Sequence, residues 1–352
     1  MNDAISPEST AGRAKRTLLF VAIALGGAYA VGALWLGHPR WGWLSQYLMW
    51  TPGIAGLIVQ GLRRQPPRAM GFRFTGAAPW LVAFLYPIAV IASCIALAYA
   101  IRAVTSADVV HFQPETVRFK VFGIAASGLR LVPLRLARQL LLTVPWLVLA
   151  LAYRYELPER LGAGLHVARV ALWAGVFWFN PGPWWLPPGS VGEELGWRGW
   201  LVRTWRDRPL TALALGAAAW AAFHVPIVAL EPPLHALVPA LSFLLSVAAG
   251  AAAFQALYLW SGSIWPPVVA HFTWNFWNPF FLGDQYGPGP SIFGGKRWLI
   301  NGEGVLGMLV NGAITAALVL HWRAQRSRST AASPAEQRPG SEKGDASSST
   351  TG

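Results

Sequence analysis

Apolar and polar residues alternate along the chain in long blocks. Apolar runs of roughly twenty residues, the length that crosses a bilayer as a helix, occur at about Thr17–Gly37, Leu44–Leu62, Ala77–Ile101, Pro209–Leu230, Ala236–Trp260, Ile264–Leu282 and Gly304–Trp322. Two further runs, Leu140–Tyr153 and Gly162–Phe179, complete the set if the flanking arginines of the first one snorkel. Between residues 102 and 138, Asp108, His111, Glu115, Arg118 and Lys120 make a polar loop, after which Arg130, Arg135 and Arg138 punctuate an apolar background and predict an interfacial amphipathic helix. The turns Asn180-Pro181-Gly182-Pro183 and Pro187-Pro188-Gly189-Ser190 break one helix and start another at Gly192-Glu193-Glu194, with Ser190 as its N-cap. The expected fold is all-α, a polytopic bundle of roughly 8–10 membrane helices.

The first apolar run could be taken for a secretory leader, because Ala28-Tyr29-Ala30 has the form of a cleavage site. The run continues through Leu34, Trp35 and Leu36, however, so a retained first helix is expected. The pattern divides the chain into four parts. Residues 1–16 form a polar N-terminal segment, 17–134 the N-terminal membrane helices and polar loop, and 135–322 a second membrane domain. Residues 323–352 form a Ser/Thr/Ala/Arg-rich tail, which is expected to be disordered.

Composition agrees with a membrane protein. Of the 352 residues 54% are hydrophobic and 12% charged, the latter about half the share in soluble domains. A good share of the 20 tryptophans lie near the ends of apolar runs, where amphipathic rings favour the headgroup layer. A net charge of +13 raises the question of nucleic acid. The arginines lie in short loops beside apolar runs, though, at Arg13–Arg16, Arg63–Arg73 and Arg203–Arg208. That placement fits orientation in a bilayer, with both termini and the basic loops in the cytoplasm of a multi-pass cell-membrane protein, and no nucleic acid as partner. The single cysteine, Cys94, excludes a disulfide framework and a cysteine-rich metal site.

Against this background Glu193 and Glu194 stand out, because the other thirteen of the fifteen acidic residues can be placed in tails, loops or segment ends. Charge inside a membrane segment is costly and points to function. Helical spacing puts Glu194 and Arg198 at i and i+4, a favourable orientation for an ion pair. Glu193 is turned about 100° away and left free. A plain helix-start role for both glutamates would require neither Arg198 nor the buried histidines. His224 precedes Pro226, which leaves a carbonyl unpaired that the ring might merely satisfy. His271 and Asn275 are i and i+4 and share a helix face.

The run Gly192-Glu193-Glu194-Leu195-Gly196-Trp197-Arg198-Gly199, then Trp220-x-x-x-His224, then His271-x-x-x-Asn275, resembles the three ordered motifs of the CPBP family of membrane proteases. That family is similar to the type II CAAX prenyl endopeptidases and to bacteriocin-immunity proteins. EExxxR and HxxxN match at every fixed position, and the resemblance covers roughly residues 135–282. The second motif usually carries phenylalanine where this chain has Trp220, a change that keeps an aromatic wall.

The resemblance implies an intramembrane endopeptidase. Its substrate would be a membrane-associated peptide or protein, prenylated and CAAX-like in some relatives, entering from the bilayer. A buried glutamate is a competent base for water, so Glu193 with His224 would hold the nucleophile. The resemblance gives His271 and Asn275 to the oxyanion, Glu194 and Arg198 to structural support, and Trp220 and Trp197 to the pocket. Glu193, His224 and His271 would alternatively ligate zinc with water in the open position. Both chemistries stay open at this level, as do a non-catalytic immunity or scaffold protein of the same fold and a transporter using the buried charges.

Overall fold

The computed structural model describes residues 9–38, 40–65, 67–73, 75–121, 124–141, 189–283 and 289–331. Helices α1 (Thr10–Gly37), α2 (Leu44–Leu62) and α3 (Ala77–Thr105) come first, followed by strands β1 (Val110–Phe112), β2 (Arg118–Val121) and β3 (Ile124–Ser127). A helix over 131–141 (α4) ends the first described half. The second half opens with α5 (Gly189–Glu194), which widens into a π-helix over Leu195–Val202, and continues with α6 (Pro209–Phe223) and α7 (Val225–Leu230). It is completed by α8 (Leu237–Ser261), α9 (Trp265–Leu282), β4 (Phe293–Gly295), α10 (Arg297–Ile300) and α11 (Val305–Ala331). The chain is an all-α membrane bundle. Five described stretches are long and apolar enough to cross a membrane: Thr10–Gly37, Ala77–Thr105, Pro209–Leu230, Leu237–Ser261 and Arg297–Gln325. Apart from residues 140 and 141, the expected spans at Leu140–Tyr153 and Gly162–Phe179 and the Asn180–Pro183 turn lie outside the described residues.

Two expectations are corrected and one is refined. The helix expected about Arg130–Arg138 is the one over 131–141, and the polar loop ahead of it carries short strands. β2 and β3 pair antiparallel, and β1 pairs with β4 from far along the chain. The alternation Val117-Arg118-Phe119-Lys120-Val121 has a period of two, which suits a strand and not a helix. The last helix continues past Arg323 to Ala331, since an established helix gains one hydrogen bond for each residue added. Ser190 lies within α5 and not at its cap; the Gly189 N–H ahead of it donates to Gln46 Oε1 at 3.0 Å.

A proline removes one backbone donor, and at two prolines a side chain donates to the carbonyl four residues before. Thr51 Oγ1 donates to the Leu48 carbonyl, four residues before Pro52, at 2.9 Å. Tyr29 Oη does the same for Ala222, four residues before Pro226, at 3.2 Å. Glycines set how close α2 and α5 come. A Cβ on Gly196 would fall 2.3 Å from the Pro52 carbonyl carbon, and one on Gly192 would fall 2.8 Å from the Met49 oxygen. The two helices therefore meet backbone to backbone.

The helix ends sort into two faces. Arg13 Nη1 meets Asp207 Oδ1 at 2.6 Å, Trp205 Nε1 donates to Thr17 Oγ1 at 2.9 Å, and Arg73 Nε donates to the Gly262 carbonyl at 2.8 Å. These contacts bring the start of α1, the 63–73 loop, the 203–208 loop and the end of α8 to one arginine-bearing face. The hydrogen bond from Arg13 holds the Asp207 carboxyl below the usual carboxylate range. The β1–β4 ribbon joins segments that follow α3 and α9, at the far ends of those helices.

Short-loop arginines orient membrane proteins with the basic face in the cytoplasm. Single cysteines introduced at Arg64 or Arg323 in a Cys94→Ser background are expected to resist membrane-impermeant thiol reagents in intact cells and to react after lysis. Labelling of either from outside would reverse the orientation.

Candidate active site

Glu193 and Glu194 sit 2% and 0% exposed, adjacent in sequence but engaged by different partners. Glu194 Oε1 accepts from Arg198 Nη1 at 3.0 Å and also meets His271 Nδ1 at 2.9 Å. Arg198 is itself fully buried; its Nη2 donates to the Ala251 carbonyl at 3.3 Å, and its guanidinium lies 4.5 Å from the centroid of the Trp220 ring. One carboxylate thus neutralises the arginine and orients a histidine. The π-turn, a form that recurs at functional sites, begins one residue after Glu194 and contains Arg198.

Trp220 links the other groups. Its indole N–H donates to Glu193 Oε2. Its carbonyl is 2.8 Å from His224 Nδ1, and because a carbonyl only accepts, Nδ1 carries the proton and a neutral His224 keeps Nε2 as an acceptor. The Trp220 ring lies edge-on to both histidines, with centroids 5.3 Å from His224 and 5.5 Å from His271. The carbonyl that His224 satisfies is therefore that of Trp220, whereas the one freed by Pro226 belongs to Ala222 and is served by Tyr29.

Glu193, Trp220, His224, His271 and Asn275 all line one cavity of about 350 Å³. Asn275 is exposed to it. The cavity runs from these residues, mid-bundle, to Trp35, Ser45, Glu231 and Glu303 at the helix ends opposite the arginine face. Trp197 does not reach it: the ring is fully buried between Phe20 of α1 and Phe223 of α6, at centroid distances of 5.5 and 5.7 Å. The pocket role expected for Trp197 is thus replaced by a packing role, since it projects towards α1.

The cavity also contains residues that the motifs leave out. Asn278 bonds Asn301 at 3.0 Å and receives the Gly302 N–H at 3.1 Å, which fixes the loop at the far rim. Its place seven residues after His271, on the same helix face, was a usable signal. Tyr86 donates to Asn311 across α3 and α11, and Glu303 accepts from Trp274 Nε1 at 3.1 Å. Neither pairing has a local sequence signature.

Among the described residues no group of three or more His, Cys, Asp and Glu is placed to hold an ion, so Glu193, His224 and His271 are not gathered as a zinc set.

Residues 171–277 match the family described as type II CAAX prenyl endopeptidase Rce1-like. Over that segment the chain is similar to the Rce1-like family. No curated protein and no solved structure matches the chain significantly. The matched segment contains all three motifs, from Glu193 to Asn275, and its described part begins at Gly189.

Their surroundings place opposite demands on the two glutamates. Glu194→Gln leaves Arg198 buried without its counter-charge and is expected to lower stability by about 3–5 kcal/mol. Glu193→Gln keeps an oxygen to accept from Trp220 and should unfold near the wild-type temperature. Thermal unfolding in detergent measures both, and equal losses would show that the carboxylates are not divided in this way.

Proposed function

We propose that the domain is an intramembrane endopeptidase in which Glu193 and His224 activate a water molecule against the peptide bond of a membrane-associated substrate. The observation that carries this reading is the convergence of Glu193, His224, His271 and Asn275 on a single cavity within the bundle. Water held between the Glu193 carboxylate and His224 Nε2 attacks the carbonyl carbon as Glu193 takes its proton. The negative charge that gathers on the carbonyl oxygen is received by the Asn275 amide and by the His271 ring. With Nδ1 given to Glu194, that ring donates from Nε2 only when it carries both protons. The carbon–nitrogen bond then breaks, Glu193 returns its proton to the leaving nitrogen, and a carboxylate and an amine depart.

Substrate reaches this point from the end of the bundle opposite the arginines, because the cavity extends to Trp35, Ser45, Glu231 and Glu303 there. The lining between is aromatic and apolar, with Leu48, Met49, Phe223 and Phe254 beside Trp220 and Trp274. This wall favours an apolar or lipidated segment over a polar one.

In this mechanism no step passes through a metal. Purified protein in lipid nanodiscs, offered quenched peptides with and without a prenyl group, is expected to cleave at a rate unchanged by a strong chelator. Glu193→Gln should reduce that rate by about a thousandfold or more, as loss of general-base help combined with loss of water positioning does. Activity lost on chelation and restored by zinc would replace the metal-free mechanism while keeping the peptidase. A folded wild-type protein that cleaves none of a broad peptide panel would count against the peptidase itself.

A further inference from the structure

On the arginine face, away from the candidate active site, a second cavity of about 630 Å³ lies between the 69–73 loop, the 203–207 loop, the end of α8 and Trp322 of α11. Arg73, Arg203 and Arg206 line it, and all three act electrostatically on the buried Tyr258 that forms part of its wall. Arg203 also feels the like charges of Arg63, Arg73 and Arg206. Asp207 is the one acidic residue in the lining, and its Oδ1 is committed to Arg13 at 2.6 Å. Among the described residues, neither Arg203 nor Arg206 has an acidic partner. Three like charges held around a half-enclosed space repel one another unless an anion occupies it.

The arrangement is built and not merely a cluster of surface charges. Gly262, in the left-handed region at φ 64°, accepts from Arg73 Nε at 2.8 Å, and a Cβ there would fall 2.1 Å from Arg73 Nη2. Ser263 Oγ donates to the Arg73 carbonyl at 2.5 Å, and Ile264 N–H to the Gly71 carbonyl at 3.1 Å. The loop bearing Arg73 is thereby pinned to the end of α8. Tyr258, Leu259 and Trp322 give the cavity an aromatic and apolar wall at the level where membrane helices end.

We propose that this cavity binds a phosphate group, with the three guanidiniums as its donors. The phosphate comes from an anionic phospholipid headgroup, whose glycerol and upper acyl carbons meet Trp322 and Leu259, or from a soluble phosphate.

Native mass spectrometry of the purified full chain tests this with phosphatidylglycerol, phosphatidylcholine and inorganic pyrophosphate as probes. Phosphatidylglycerol is expected to bind more tightly than phosphatidylcholine. Its affinity should fall about fivefold for each arginine removed, in Arg206→Gln and in the Arg203→Gln/Arg206→Gln pair. Arg206 is exposed, so its single replacement reads binding without a change in folding. Pyrophosphate that binds and displaces the lipid would assign the site to soluble phosphate; pyrophosphate that leaves the lipid in place would assign it to the headgroup. Equal phosphatidylglycerol binding by wild type and Arg206→Gln, with no pyrophosphate bound by the wild type, would overturn the proposal.

Discussion

The bundle depends on Glu194, a carboxylate with no solvent exposure that answers to Arg198 and His271 at once. In a low-dielectric interior an unpaired arginine is strongly unfavourable, so the pair must form for the helices to close. Because Oε1 receives both partners, α9 is tied to the π-turn through His271, while Arg198 reaches α8 through the Ala251 carbonyl. Two helices meet at that oxygen and α8 joins them through Arg198. The charge balance that permits burial therefore also sets the position of a candidate catalytic ring.

Trp220 does for Glu193 what Arg198 does for Glu194, with a neutral donor in place of a charge. Counted as an aromatic wall, the residue seems interchangeable with phenylalanine, yet its indole N–H is bonded to the carboxylate and its carbonyl holds His224. Glu193 is consequently oriented without a counter-ion, and its charge stays available to the cavity. This separates the two glutamates more firmly than their spacing on a helix does.

Legibility in the sequence followed locality. The i and i+4 spacing made the Glu194–Arg198 and His271–Asn275 relations readable, because four residues along a helix determine which side chains are neighbours. The long apolar blocks made the membrane helices readable for a similar reason. What stayed hidden was non-local. The His271–Glu194 contact spans 77 residues and the Tyr86–Asn311 contact 225. β1 finds its partner in β4 some way along the chain, so the polar loop that follows α3 could not be read as strands from its own residues. Trp197 was misplaced for the same reason: its ring packs between Phe20 of α1 and Phe223 of α6, contacts that are distant in sequence.

The glycine seam between α2 and α5 has a consequence for proton traffic. With Gly192 and Gly196 pressed against the Met49 and Pro52 backbone, that side of the helix has no room for a side chain. In the mechanism proposed above, water and protons would reach Glu193 along the cavity, which extends to the helix ends opposite the arginines. A pH gradient across the bilayer would then act on Glu193 from that side.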